Sequence, residues 1–141
     1  MNALLILALL VAPGLFLAGL RRVPAQRVLT VRRLGHYRRT LGPGWHWIAP
    51  GLDRPGLQVN LIGHHLHVRG DGSDGEAELY YQIVEPEKAG ETIDQVDAWV
   101  TAQTREALQQ TGSSPDQLKS ELNRRVSRLG LRVIRCALHV A

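Results

Sequence analysis

The first twenty residues, Met1 to Leu20 (MNALLILALLVAPGLFLAGL), contain no charged side chain. No other feature constrains the chain as strongly. As a continuous helix the run is about 30 Å long, the hydrocarbon thickness of a bilayer. It is apolar on every side, so it has no amphipathic stripe with which to cover one face of a water-soluble core. Arg21 and Arg22 end it abruptly. These observations predict a transmembrane anchor over residues 1–20. A re-entrant hairpin is the alternative, because Pro13-Gly14 in the middle permits a bend. A cleaved signal peptide fits poorly, since its positive charge belongs before the apolar run. Charge on the arginine side predicts a cytoplasmic location for the rest of the chain.

Charge is divided as sharply as hydropathy. Residues 1–52 hold seven arginines and no Asp or Glu (+7), whereas residues 53–141 hold ten Lys or Arg against thirteen Asp or Glu (−3). Basic charge directly after an apolar run suits an anionic lipid surface. No motif for reading nucleic acid accompanies it. The expected organisation is an anchor (1–20), a basic juxtamembrane linker (21–27) and one domain (28–141).

Within that domain the hydrophobic period predicts α+β architecture. Val28–Val31 and Trp45–Ile48 read as short strands around the turn Leu41-Gly42-Pro43-Gly44. Pro50, Gly51, Pro55 and Gly56 read as loop, and Leu57–Val68 reads as strand. Glu76–Val84 alternates cleanly, with Ala77, Leu79, Tyr81 and Ile83 on one face and Glu76, Glu78, Tyr80 and Gln82 on the other. Helical spacing follows over Asp94–Gln110. A second helix has Ser114 as N-cap, Pro115 at its first position and Gln117 completing a capping box. Its stripe is Leu118, Leu122, Val126 and Leu129, and Gly130 ends it. Leu131–Val140 reads as a final strand with Ile134, Cys136, Leu138 and Val140 inward.

Two blocks of this pattern resemble the stomatin/prohibitin/flotillin group, the SPFH or band 7 family. The first is Val23-Pro24-Ala25-Gln26-Arg27-Val28 followed by Arg33–Pro50 (RLGHYRRTLGPGWHWIAP) and Asp53-Arg54. The second is Tyr80–Ala89 (YYQIVEPEKA), and Leu129–Val133 (LGLRV) is similar to the stretch before the family's last strand. The resemblance implies an antiparallel, twisted sheet with helices on one side. It also implies a slipin- or prohibitin-like membrane scaffold that self-associates and organises other membrane proteins. Its implied partners are a membrane protease, in protein quality control, or a small membrane protein. Arg69–Gly75 lacks the family's usual beginning at that point, and no long helical extension follows the final strand. An accessory subunit of a protease complex, or a lipid-binding module that shapes membranes, are the alternative readings.

No enzyme and no cofactor are expected. The serines 73, 113, 114, 120 and 127 include none in a GxSxG elbow. Gly70, Gly72 and Gly75 share a loop with Asp71 and Asp74, whose carboxylates oppose a phosphate. Asp71, Asp74 and Glu76 lack the spacing of a calcium loop. His65 and His67 share a strand face, with Asp71 or Asp74 as a conceivable third ligand. The set lacks the cysteines of structural zinc sites, so His64, His65 and His67 are read as surface histidines and no metal is assigned. Cys136, the single cysteine, reads as a small hydrophobe. Trp45 and Trp47 alternate on a strand close to the arginines. Indole rings favour the lipid–water boundary, so Arg21, Arg22, Arg38, Arg39, Trp45 and Trp47 are predicted to contact lipid.

Overall fold

A computed structural model describes residues 2–71, 75–111 and 114–139. Gly72, Ser73, Asp74, Ser113 and Val140, all named above, lie outside the described residues. The fold is α+β with antiparallel sheets, and it divides into two compact units, Met1–Gln58 and Val59–Ala141.

The first unit opens with helix α1, Ala3–Gly19. The anchor expectation fails here. Seventeen residues at about 1.5 Å each give roughly 25 Å, short of the ~30 Å hydrocarbon layer. Among the described residues no helix is long and apolar enough to cross a membrane. The physical reason lies at the C-terminal end. Leu20, counted above with the helix, instead begins strand β1 (Leu20–Val23) and pairs with Trp47 of β4 (Gly44–Trp47). Pro13 lies inside one continuous helix, which also removes the hairpin. Without a membrane-crossing helix among the described residues, the positive-inside argument for a cytoplasmic domain has nothing to orient.

β1 and β4 form a two-stranded sheet; β2 (Arg27–Arg33), β3 (His36–Leu41) and β5 (Asp53–Asn60) form a second in the order β3-β2-β5. Val23, Leu29, Val31, Leu41 and Ile48 make the unit's small apolar core. Residues 21–23, expected as linker, are therefore strand. Pro55 and Gly56, expected as loop, lie in β5, an edge strand, where a missing N–H is tolerated.

The second unit pairs β6 (His64–Arg69), β7 (Glu76–Ile83) and β8 (Leu131–His139) in that order, all antiparallel. The single strand expected over 57–68 is divided by a turn at Leu61–Gly63 into β5 and β6. After β7 come α2 (Pro86–Ala89), a 3-10 turn over Gly90–Gln95, α3 (Val96–Thr111) and α4 (Pro115–Val126). Ala77, Leu79, Tyr81 and Ile83 are buried, and β7 carries them toward the core with Leu118, Leu122 and Val126 of α4. Ser114 precedes α4 with an extended backbone, but its hydroxyl makes no cap bond; only its carbonyl engages, accepting from the Leu118 N–H.

Gly130 ends the helical segment with φ +70°. A Cβ there would sit 2.2 Å from the Glu85 carbonyl oxygen. Its own carbonyl accepts from the N–H groups of Val84 and Glu85 at 2.8 and 2.9 Å. β8 then departs from simple alternation. Tyr80 faces Arg135 and Tyr81 faces Val133, which leaves Ile134 as an extra residue, a β-bulge. Leu131 and Val133 point inward before the bulge, and Cys136 and Leu138 stand opposite Leu79 and Ala77 after it. Ile134, expected inside, is 48% exposed. Asn123 covers the bulged edge: its Oδ1 accepts from the Val133 N–H at 2.8 Å, and its Nδ2 donates to the Val133 carbonyl at 3.4 Å.

Candidate functional site

Two surfaces concentrate functional chemistry, one in each unit. In the first, α1 exposes large apolar side chains along its whole length, from Leu4 to Leu17. Its base is fixed to β4. The Trp47 indole N–H donates to the Phe16 carbonyl at 3.1 Å, and the Phe16 and Trp47 rings stack with centroids 6.4 Å apart. Gly19 makes this approach feasible, because a Cβ there would lie 2.6 Å from Trp47 Nε1.

Trp45 and Trp47 alternate along β4 and so share a face, on which they remain 65% and 43% exposed. Arg22 stands opposite Trp45 in the ladder, its guanidinium carbon 5.9 Å from the ring centroid. Arg39 Nη2 donates to the Trp47 carbonyl at 3.0 Å. The fold thus brings Arg22, Arg39, Trp45 and Trp47 together. Arg21 pairs with His46 and takes the opposite face of the ladder from Arg22. Arg38 is the unpaired residue of a bulge between β2 and β3. On β2, Arg33 clamps the buried Asp53 carboxylate through Nε at 2.6 Å and Nη2 at 3.1 Å. That hydrogen-bonded clamp holds the Asp53 carboxyl below its ordinary range, against the cost of burial.

No family model matches the chain.

In the second unit the functional side chains lie on the solvent face of β6-β7-β8. His65 and His67 share that face, and antiparallel register places Glu78 directly across from His67 and Tyr80 across from His65. His65 Nε2 is 2.7 Å from Glu78 Oε1, and the His65 and His67 rings meet edge to face at 4.5 Å. The Tyr80 hydroxyl donates to Glu78 Oε1 at 3.0 Å, and His139 Nε2 lies 3.5 Å from Oε2. Hydrogen bonds from Tyr80 first, then His65 and His139, hold the Glu78 carboxyl below its usual value. Ligand atoms of His65, His67 and Glu78 all lie within 4.8 Å of one another.

Glu78 and His139 were not linked to the histidines from sequence, although a signal existed. Pairing Arg69 with Glu76 across their loop brings His67 to Glu78 by counting two residues away from the loop on each strand, back on β6 and forward on β7. Of the two aspartates considered as a third ligand, Asp74 lies outside the described residues and Asp71 faces α3, with Gln109 Nε2 at 3.5 Å and Arg105 Nε at 3.9 Å. His64 points to the opposite face, stacked on Tyr81 at 4.7 Å, with Nδ1 3.2 Å from Asp97 Oδ1 and Nε2 2.6 Å from the Asn60 carbonyl. Tyr81 also donates to Asp97, and burial pushes its phenol well above the ordinary value.

Two other features are accounted for by the fold. A depression lined by Trp99, Gln103, Glu106, Arg124, Arg125 and Arg128 carries arginines, but Glu121 takes both Arg124 and Arg125 at 2.7 Å. Cys136 is half-buried, and burial raises its thiol pKa, which disfavours the thiolate a nucleophile needs.

Proposed function

We propose that this chain is a non-catalytic scaffold that rests on a lipid surface, self-associates there and organises partner proteins. In this reading α1 is immersed in the apolar layer without crossing it, and the Arg22–Trp45–Trp47–Arg39 cluster sits at the headgroup level. The observation that carries the reading is the exposure of large apolar side chains along α1, directly above that cluster. Water penalises such a surface at about 25 cal/mol per Å² of apolar area. Tryptophan beside arginine suits the boundary between lipid and water, where the ring is buried and the N–H and guanidinium stay solvated. The net +7 of residues 1–52 supports anionic headgroups as the surface. Self-association and the choice of a membrane protease or small membrane protein as partner rest on the resemblance to the stomatin/prohibitin/flotillin group.

The test is flotation of the full chain carrying Trp99→Phe with anionic vesicles whose lipids are brominated at different depths. Trp45 and Trp47 are then the only indoles. The expected result is flotation that weakens with salt and fluorescence quenched most by shallow bromines. Folded protein that stays at the bottom of the gradient, or floats with unquenched tryptophans, overturns the lipid reading. Light scattering on the detergent-held chain tests self-association separately, and a monomer removes that part.

A further inference from the structure

We propose that His65, His67 and Glu78 form a binding site for one divalent cation of the zinc class on the solvent face of β6-β7. The inference stands apart from the lipid reading and uses none of its residues. Two imidazoles and a carboxylate are a donor set suited to zinc and neighbouring transition ions, whereas magnesium and calcium call for oxygen donors. Tetrahedral zinc with ligand bonds of about 2.0–2.2 Å needs donor atoms about 3.3–3.5 Å apart. The three donor atoms here already lie within 4.8 Å of one another, so side-chain rotation suffices and the strands need not move.

The backbone supplies the preorganisation. His65 and His67 are two residues apart on one strand, and Glu78 is locked across from His67 by the β6–β7 ladder. Around the ligands, Tyr80 does the work of an outer shell. Its ring stacks on His65 at 4.3 Å and 9°, and its hydroxyl holds Glu78 Oε1. His139 reaches the other carboxylate oxygen from β8. Without a metal, His65 Nε2 and Glu78 Oε1 share a hydrogen bond at 2.7 Å. A cation between them binds the Nε2 lone pair of the neutral ring, whose single N–H then sits on Nδ1, and solvent completes its coordination. The other charged groups on this face are Arg69 and Glu76, which stand opposite each other in the ladder, Arg135 opposite Tyr80 and Arg132 opposite Gln82.

The experiment is calorimetric titration of the untagged full chain in mild detergent with zinc, and a parallel cobalt titration followed by visible absorption. One saturable equivalent is expected, with four-coordinate cobalt bands. His67→Ala and Glu78→Gln should each lower affinity by more than the roughly 10–100-fold that loss of an outer-shell partner costs, and Tyr80→Phe by about tenfold. His36→Ala, in the other unit, should change nothing. Circular dichroism confirms that each variant is folded. The proposal is overturned by no saturable binding, by folded His67→Ala and Glu78→Gln variants that bind like the parent, or by magnesium binding as tightly as zinc.

Discussion

The two units spend their apolar residues in opposite ways. In Val59–Ala141, α3 and α4 turn Val100, Leu118, Leu122 and Val126 inward, and β7 meets them with Leu79 and Tyr81. In Met1–Gln58 the strand core is small, and the largest apolar surface, that of α1, faces outward. The difference follows from hydrophobic pattern. A stripe at helical spacing defines an inside, whereas a helix that is apolar all round defines none and stays uncovered until something apolar surrounds it. Exposure of this kind marks an interaction site rather than a folding element.

Paired truncations test the contrast most severely. Leu122→Ala should cost about 2–5 kcal/mol in denaturant unfolding, the usual range for a buried leucine. Leu9→Ala, on α1, should change stability by less than about 0.5 kcal/mol. Equal costs would erase the distinction between the units. A second test probes the backbone: Gly130→Ala should destabilise by about 1–3 kcal/mol, because a side chain is forced into a left-handed position against the Glu85 carbonyl. A thermal melt matching that of the parent would show that Gly130 is dispensable there.

Acid provides the mildest probe and addresses both units. Glu121, hydrogen-bonded first by Arg124 and then by Arg125, has its carboxyl pKa lowered to about 2 from an ordinary 4.5. Its contribution is complete above the ordinary value and disappears as the pH falls toward the lowered one. Asp53, clamped by Arg33 in the first unit, follows the same sign. Melting temperature should therefore fall on acidification below about pH 4.5. Glu121→Gln should flatten that fall, and Asp53→Asn should flatten it by less, because burial opposes the lowering of the Asp53 carboxyl. An unchanged slope in both variants would remove these pairs from the acid response.

Legibility from sequence tracked how local the governing physics was. The inward face of β7 was readable because Ala77, Leu79, Tyr81 and Ile83 alternate without interruption. So were Leu118, Leu122 and Val126 of the α4 stripe; α4 itself ends at Val126, and Gly130 instead ends the 3-10 turn Ser127–Leu129 that follows, where Leu129 is half-buried. β3 was not. It follows β2 through a two-residue turn at Leu34-Gly35, both at positive φ, where a turn of that kind ordinarily signals itself with Asn or Gly. Leu34, 83% exposed, gives no such signal. The inward placement of Ile134 failed because a bulge inserts one residue against β7, and register depends on the partner strand. The length of α1 failed for a related reason, since pairing with Trp47 drew Leu20 into a strand. Among the candidate ligands, His65 and His67 were visible as neighbours, but Glu78 arrives only through the hairpin.

The junction between α1 and β1 has a mechanical consequence. The helix ends at Gly19 and the strand begins at Leu20, with no spacer between them. The Leu20 N–H still bonds the Leu17 carbonyl, and the Ile48 N–H bonds the Gly19 carbonyl at 2.8 Å. A flexible tether would let whatever lies beyond it tumble freely. This joint has no slack of that kind: a turn of the helix is handed through those two backbone bonds to the β1–β4 ribbon that carries Arg22 and Trp45.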